Sequence, residues 1–475
     1  MYKPKRLHPI SILVSLGGKI KKLLFPLLAV LFFGQKGSDK AFISLIISLI
    51  VIFFSFFSSF ISWFRFTYFF EDGELRMEHG VFIRKKRHIP FERIQSIDIS
   101  QGVLQRMFGL VRVQMETAGG VLSDGAEAVL SAISKREAEF IQAGFSSFKK
   151  IGQMVAAPDS TPVYQITTGQ LLLLSLTSGG VGVIISAMLA FLSQMDDMVP
   201  LRKIFGRVVY PTASSLLLVV SIAFLGLFVL WIVALIRTML KYANFTVTKN
   251  DDDLVISQGL FEKRQITIPL NRIQAIRLSE SFVRQLTGYA SVFIESAGGT
   301  SVSSEGSSVV LLPMVKADKI NSIIGPFLKD YQITSMFNPI PKRAMYRYIF
   351  KTWYIGIPIV ILSLYFLKLW GLFSLIFLLG ISIWAILKFK DAGWNIENQQ
   401  LSIRYRLLIR HTLFMKKNKI QALKVHESYF QRKKNLATVD AFIKSGKGMS
   451  GGHVTDLDQK DIQDIFIWYA AKKEG

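Results

Sequence analysis

Side chains able to do chemistry are few and scattered in this sequence. The six histidines, His8, His79, His88, His411, His426 and His453, form neither an H-E-x-x-H pair nor a compact cluster, so the ligand spacing of a catalytic zinc site is missing. Cysteine is absent, which excludes disulfides, iron–sulfur clusters, thiolate zinc and a cysteine nucleophile. Asp251-Asp252-Asp253 lacks the spacing and the closing glutamate of a calcium loop and reads as a solvated turn ahead of a strand. Gly446-Lys447-Gly448 resembles a phosphate loop only superficially. Ala441 stands where that loop needs its first glycine, and Gly448 where it needs Ser or Thr. No Ser-His-Asp order and no paired carboxylates stand out, so no enzyme activity, metal or cofactor is expected.

Positive charge is the chemistry that remains. The chain of 475 residues carries 57 Lys and Arg against 33 Asp and Glu, a formal net charge of +24. Such an excess points to nucleic acid or to an anionic lipid surface. Hydrophobic residues make up 51% and the mean hydropathy is +0.37, which favours lipid. No aromatic-plus-basic nucleic-acid motif occurs, and no nucleic acid partner is expected.

Six apolar runs form three close pairs: 23–34 with 41–64, 171–195 with 212–236, and 353–367 with 369–387. The second, third and fourth are long enough to span a hydrocarbon core of roughly 30 Å, the first is short, and the fifth and sixth are near the lower limit. Residues 1–40 hold eight Lys or Arg and one acid, and bases also flank the outer ends of the later pairs. Cytoplasmic flanks are rich in Lys and Arg, so the simplest topology has three hairpins with both termini and all large polar segments in the cytoplasm. Apart from Lys368 at a turn, no Asp, Glu, Lys, Arg or His lies inside the runs, which counts against ion-coupled transport. Ser178, Gly182, Ser186 and Ala190 recur every four residues in the third run and form a small-residue stripe suited to close helix packing.

The polar segments repeat. Residues 80–120 align without a gap on 259–299, with 15 of 41 positions identical, so a duplication has occurred. A weaker third copy follows, in which Arg406 replaces the glycine of Gly80 and Gly259, and Lys416 the proline of Pro90 and Pro269. Leu75 and Met77 alternate with Glu74, Arg76 and Glu78, and Leu401, Ile403 and Tyr405 alternate with polar residues in the same way. This period of two predicts half-buried antiparallel strands. Gly119-Gly120 and Gly298-Gly299 suit hairpin turns. A helical pattern closes each copy, over 135–148, 316–328 and 459–472. Each unit is therefore a helix hairpin followed by a small β-sandwich or barrel with a C-terminal helix.

The helix hairpin, the strands, P-x-x-[RK]-I-Q-x-[IL] and the later E-[TS]-A-G-G resemble the bacterial pleckstrin-homology-like membrane proteins. Pro90, Arg93, Ile94, Gln95 and Gly119-Gly120 carry the match in copy one, and Pro269, Arg272, Ile273, Gln274 and Gly298-Gly299 in copy two. Copy three keeps Lys419-Ile420-Gln421. The whole chain is similar to the large members with three such units, which are usually accompanied by a small single-unit subunit. The resemblance implies integral membrane α-helical hairpins, six transmembrane helices in all, plus three cytoplasmic all-β pleckstrin-homology-like domains, each closed by a C-terminal helix. It also implies a plasma-membrane scaffold linked to envelope stress or to defence against membrane-active peptides.

The expected layout is an N-terminal segment and hairpin over 1–64, domain one over 65–150, a linker over 151–169 and hairpin two over 170–236. Domain two follows over 237–330, a linker over 331–351, hairpin three over 352–387 and the divergent domain three over 388–475. Arg84, Lys263 and Arg410 fall at one aligned position between two strands, with Lys85, Lys86, Arg87 and Arg264 beside them. A short tether would hold these side chains against the leaflet, where arginine can bond a phosphate through two parallel donors. The expected partners are the lipid bilayer with its anionic lipids, and either a small related pleckstrin-homology-like membrane protein or further copies of this chain. The leading expectation is a non-enzymatic scaffold in the plasma membrane, and the rival is a passive channel or exporter for a hydrophobic substance.

Overall fold

A computed structural model describes residues 4–19, 38–71, 73–80, 83–117, 128–149, 162–178, 213–250, 252–296, 308–445 and 448–471. Each of three units contributes seven strands. Unit one has β1 (Lys5–Arg6), β2 (Thr67–Glu71), β3 (Glu74–His79), β4 (Lys85–Pro90), β5 (Ile94–Gln101), β6 (Leu110–Thr117) and β7 (Ala128–Ser134). Unit two has β8 (Pro162–Gln165), β9 (Thr246–Asn250), β10 (Asp253–Gln258), β11 (Lys263–Pro269), β12 (Ile273–Glu280), β13 (Tyr289–Ser296) and β14 (Ser308–Lys316). Unit three has β15 (Asn338–Pro339), β16 (Gly393–Glu397), β17 (Gln400–Arg406), β18 (Arg410–Lys416), β19 (Ile420–His426), β20 (Leu436–Ser445) and β21 (Gly448–Asp458).

The first four strands of each unit form one layer and the last three the other. The layers are not separate between units. Strand β11 pairs with β5, and β18 with β12, so the last layer of one unit and the first layer of the next merge into a seven-stranded sheet. Two such sheets form, β7-β6-β5-β11-β10-β9-β8 and β14-β13-β12-β18-β17-β16-β15, between a four-stranded sheet at the start and a three-stranded one at the end. The register is the same at both junctions. Lys263 lies opposite Gln101, and the residues at the equivalent places, Arg410 and Glu280, lie opposite each other.

Side chains alternate across a strand, and this puts two cores on opposite faces of one shared sheet. Ile97 on β5 belongs to the core of unit one. Its neighbour Asp98 faces the other way, opposite Ile266 of β11, which belongs to the core of unit two. At the second junction Phe414 of β18 is fully buried in the unit-two core, while Ala275 of β12 joins the unit-three core. The cores of units two and three are thus each completed by a strand of a neighbour.

Turns follow from local chemistry. Gly80 and Gly259 have φ of +124° and +99°, and a Cβ there would lie about 2 Å from the carbonyl oxygens of Ile83 and Glu262, so only glycine fits. In the third copy β17 runs on through Arg406 and a three-residue loop leads to β18, so the glycine is not needed. The missing proline matters less. Pro90, Pro269 and Lys416 all hold extended φ, −63°, −65° and −76°, ahead of single 3-10 turns at Phe91–Arg93, Leu270–Arg272 and Lys417–Lys419.

The C-terminal helices are Lys135–Lys149 and Gln459–Ala470 in units one and three. Unit two departs from the expectation over 316–328. Its α-helix covers only Ile320–Ile324, because Gly325-Pro326 follows and proline cannot continue a helix. Strands also appear where linkers were expected, Pro162–Gln165 within 151–169 and Asn338–Pro339 within 331–351. These strands and β1 pair with the first strand after each hairpin. Each apolar segment is therefore inserted between two neighbouring strands of one sheet.

Helices occupy the second, fourth, fifth and sixth apolar runs: Ser38–Phe64, Ala213–Tyr242, Met345–Leu367 and Ser374–Asp391. Among the described residues two are long and apolar enough to cross a membrane, Lys342–Phe366 and Gly371–Asp391. The six-helix expectation is not met at that standard. The first run lies outside the described residues, as does the third beyond its start in the helix Thr168–Thr177 and Ser178.

The crossing of cores yields a test. Phe414→Ala should cost about 3–5 kcal/mol, and amide exchange should rise in β9–β13 of unit two as well as in β18. Loss of protection confined to unit three would contradict the shared core.

Candidate functional site: unit junctions and exposed apolar tips

Both junctions are closed by a guanidinium fork on a carboxylate. In the first, Arg264 donates from Nε to the Asp98 carboxylate at 2.9 Å and from Nη2 at 2.6 Å, with side-chain exposures of 14% and 7%. In the second, Arg410 donates from Nε to Glu280 Oε2 at 2.7 Å and from Nη2 to Oε1 at 2.8 Å. Its Nη1 reaches Asp391 Oδ1 at 3.3 Å, at the end of the helix Ser374–Asp391. Burial alone would lower the Arg410 pKa, but the Glu280 and Asp391 carboxylates raise it above its ordinary value. Arg406 donates to the same Asp391 and to Gln285 Oε1 at 2.6 Å. One ion network therefore ties unit two, unit three and the third membrane hairpin together.

This placement corrects part of the expected lipid-contact set. Arg264 and Arg410 are spent between units, where a carboxylate already fills the position a lipid phosphate would take. Lys263 is exposed at the start of β11, opposite Gln101. Only Arg84, Lys85, Lys86 and Arg87 lie together at an edge, on β4 and just ahead of it. Arg84 and Lys86 pair with Glu78. Lys85 and Lys86 are exposed, and Arg87 is half-buried. Of the small-residue stripe, Ser178 is described. Its hydroxyl donates to the Leu174 carbonyl at 2.8 Å, and it lines a cavity of about 280 Å³ with Arg277, Arg284 and His411. Gly182, Ser186 and Ala190 lie outside the described residues.

The sequence reading missed a second surface. Short helices at equivalent places, Val103–Met107, Phe282–Leu286 and Tyr429–Arg432, hold apolar side chains out of the fold. Val103, Leu104, Met107, Phe282, Val283, Leu286, Tyr429 and Phe430 are all exposed. Loops beside them add Leu260, Phe261, Leu407 and Leu408. These loops touch the hairpins. Leu260 N donates to the Leu240 carbonyl of the helix Ala213–Tyr242, and Trp384 Nε1 in the last apolar helix donates to the Leu407 carbonyl at 3.1 Å. Arg106 Nη1 bonds the Leu260 carbonyl at 3.4 Å, which joins the first short helix to the unit-two loop. The signal was present in the sequence: an apolar pair recurs in each copy after Gly102, Ser281 and Ser428, inside turn residues.

His411 sits at the second junction, its Nδ1 2.9 Å from Ser279 Oγ and its ring 5.6 Å from that of Tyr405. Burial, with the nearby Arg277 charge adding to it, pulls the His411 pKa down from 6.5 to about 4.

Three β-sandwiches, each with apolar helix inserted after its first strand and successive ones stitched together by strand pairing, define a membrane protein built from pleckstrin-like modules. The family described as Bacterial PH domain matches residues 23–149, 205–327 and 356–473, and the chain belongs to that family. Among its relatives is the UPF0699 transmembrane protein YdbT of Bacillus subtilis (strain 168), 35% identical over 494 residues that cover 100% of this chain and 99% of the relative. No solved structure matches.

Two measurements probe the junction. Arg410→Gln leaves Glu280 and Asp391 without their cation, and should cost on the order of 3 kcal/mol as a lowered Tm, with Arg410→Lys recovering only part because an ammonium cannot fork. An unchanged Tm would remove the network from the stabilising interactions. His411 sets a pH dependence. As pH falls, the unfolded chain takes up the imidazole proton near 6.5 while the folded chain does not until about 4. Stability present above pH 6.5 is therefore lost between these values, by up to about 3 kcal/mol. His411→Gln should flatten that part of the Tm–pH profile, and a profile of equal slope in the variant would show that other groups carry it.

Proposed function

We propose that the chain is a non-enzymatic scaffold of the cell membrane, in which three pleckstrin-like modules are held in fixed register against the inner leaflet. The observation that carries this reading is the merging of successive modules into common sheets. Modules that acted independently would need free hinges, whereas these share cores and backbone hydrogen bonds. The pairing of β1, β8 and β15 with the strands after each hairpin supports an even number of crossings per excursion. That, with the basic flanks, supports a multi-pass arrangement with all three modules and both termini in the cytoplasm.

Membrane contact in this reading comes from the exposed apolar tips, with the net charge drawing the modules toward anionic lipid by about 1 kcal/mol per basic residue near the surface. Assembly with a small related membrane protein or with a second copy completes the scaffold.

The absence of cysteine makes the test direct. A fluorophore on a cysteine substituted for Leu104, Val283 or Phe430 in the full chain in nanodiscs should shift to shorter wavelength and be quenched by lipid-borne nitroxide. The same label at Lys444, at the far end of β20, should stay in water. Equal quenching at all four positions, or at none, would reject the tips as the membrane-facing surface. Purified chain in liposomes should leave solute permeability unchanged, and steady flux without a partner would replace the scaffold by a channel.

A further inference from the structure

Among the terminal strands of the described sheets, two are counterparts of the strands that pair across the internal junctions. Strand β4 is bonded only to β3, and β19 only to β20. By the repeat, β4 is the counterpart of β11 and β18, the two strands that enter a neighbour's sheet, and β19 is the counterpart of the receiving strands β5 and β12. Native sheets rarely leave such an edge without either blunting it or pairing it.

Charge at the edge selects the occupant. At each internal junction the incoming strand brings an arginine fork to a carboxylate on the receiving strand, Arg264 to Asp98 and Arg410 to Glu280. The two forks use different positions. The entering segment of unit one is basic at both: Arg84 stands where Arg410 stands, and Lys85 where Arg264 stands. It is basic again at Arg87, where the buried junction strands carry Ile266 and Leu413. The chain's own receiving strand fits poorly. It offers Glu427 at the place of Glu280, but Lys424 at the place of Asp98. In the register of the internal junctions Lys424 would lie directly opposite Arg87 of a second copy and diagonal to its Lys85. Like charges opposite one another destabilise a strand pair, so run-on of copy after copy is opposed.

We infer that β4 is a docking edge for an acidic β-strand of another polypeptide. That strand adds to the four-stranded sheet in the register of the internal junctions and carries carboxylates at the places of Asp98 and Glu280. Main-chain hydrogen bonds supply the affinity and the carboxylates the choice of partner. The inference rests on the scaffold reading for its purpose and on the strand register for its chemistry.

The test uses the full chain in detergent and a defined probe, the eight-residue segment Ile94–Gln101 made as a peptide with Ile97→Cys and Gln101→Glu. The internal register pairs Ile97 with Thr267, whose counterpart on β4 is His88. Disulfide trapping of the peptide by a His88→Cys chain should run about tenfold faster than with a scrambled peptide, and faster than by an Arg87→Cys chain, whose side chain points to the other face. Reversal by Lys85→Glu with Arg87→Glu should abolish the preference, and a peptide carrying Asp98→Lys should restore it. Equal trapping at 87 and 88, or indifference to the charge reversal in a variant with unchanged Tm, would overturn the proposal. A peptide of Ile420–Glu427 with Leu423→Cys that traps as fast would mean that the edge serves self-association. Protection of the thiol of the His88→Cys chain from a water-soluble reagent by anionic but not neutral nanodiscs, with no peptide present, would mean that lipid covers the edge. Either of these two results would overturn the proposal. Failure of the trapping assay leaves the scaffold reading standing, and solute flux in liposomes would remove that reading without touching the edge.

Discussion

Backbone groups at the edge of a β-sheet must find partners, and this requirement organises the molecule. A seven-stranded sandwich made of a four-stranded and a three-stranded layer has open edges, each a row of unpaired N–H and C=O groups. In this chain the edge left by β5 is closed by β11, and that left by β12 by β18. Closing these edges in series leaves their counterparts in the repeat, β4 and β19, without such a junction among the described residues. The modules therefore do not behave as beads on a string. They share hydrogen-bond ladders, and through Phe414 and Ala275 they share cores.

The pairing is also specific. A slip of one residue would turn Ile266 out of the unit-two core and bring Thr267 in. The guanidinium forks oppose such a slip, since Arg264 meets Asp98 and Arg410 meets Glu280 only in the observed register. A buried ion pair is weak evidence for stability in itself, because desolvation offsets much of the attraction. Its contribution here is to selectivity. The two junctions solve the same problem at different positions: against the second receiver, Arg264 would meet Arg277 where the first junction offers it Asp98.

Coupling to the membrane follows from where the hairpins are inserted. Each leaves the sheet after one short strand and returns into the adjacent one, so its ends are fixed by sheet geometry. Asp391, at the end of the last apolar helix, binds Arg406 and Arg410 and joins that helix to the second junction. The short apolar helices and the loops at Leu260 and Leu407 stand beside the ends of the hairpins.

Much of this was legible in the residues, and what was not has a definite cause. Apolar runs, their pairing and the threefold repeat followed from composition and spacing, because burying an apolar run and alternating a strand are local demands that each segment states for itself. Gly80 and Gly259 stood out only as positions of the repeat, and the expected helix over 316–328 overlooked Gly325-Pro326, which ends it after Ile324. The roles of Arg264 and Arg410 were hidden. Aligned copies showed only that a base recurs at the position of Arg84, Lys263 and Arg410, and a base toward solvent or lipid is written with the same letters as one buried on a carboxylate. The partner acids, Asp98 and Glu280, occupy different positions in their copies, so the repeat did not flag them. One clue was available: Leu413-Phe414-Met415 is apolar on both faces, as strands inside a larger sheet are, and Ile266-Thr267-Ile268 is uncharged on both, whereas Lys85-Lys86-Arg87-His88 is not. Which strand lies beside which is a long-range choice among many compatible edges. Tertiary structure alone decided it, because only there do hydrogen-bond ladders, shared cores and charge pairs between units have to be satisfied together.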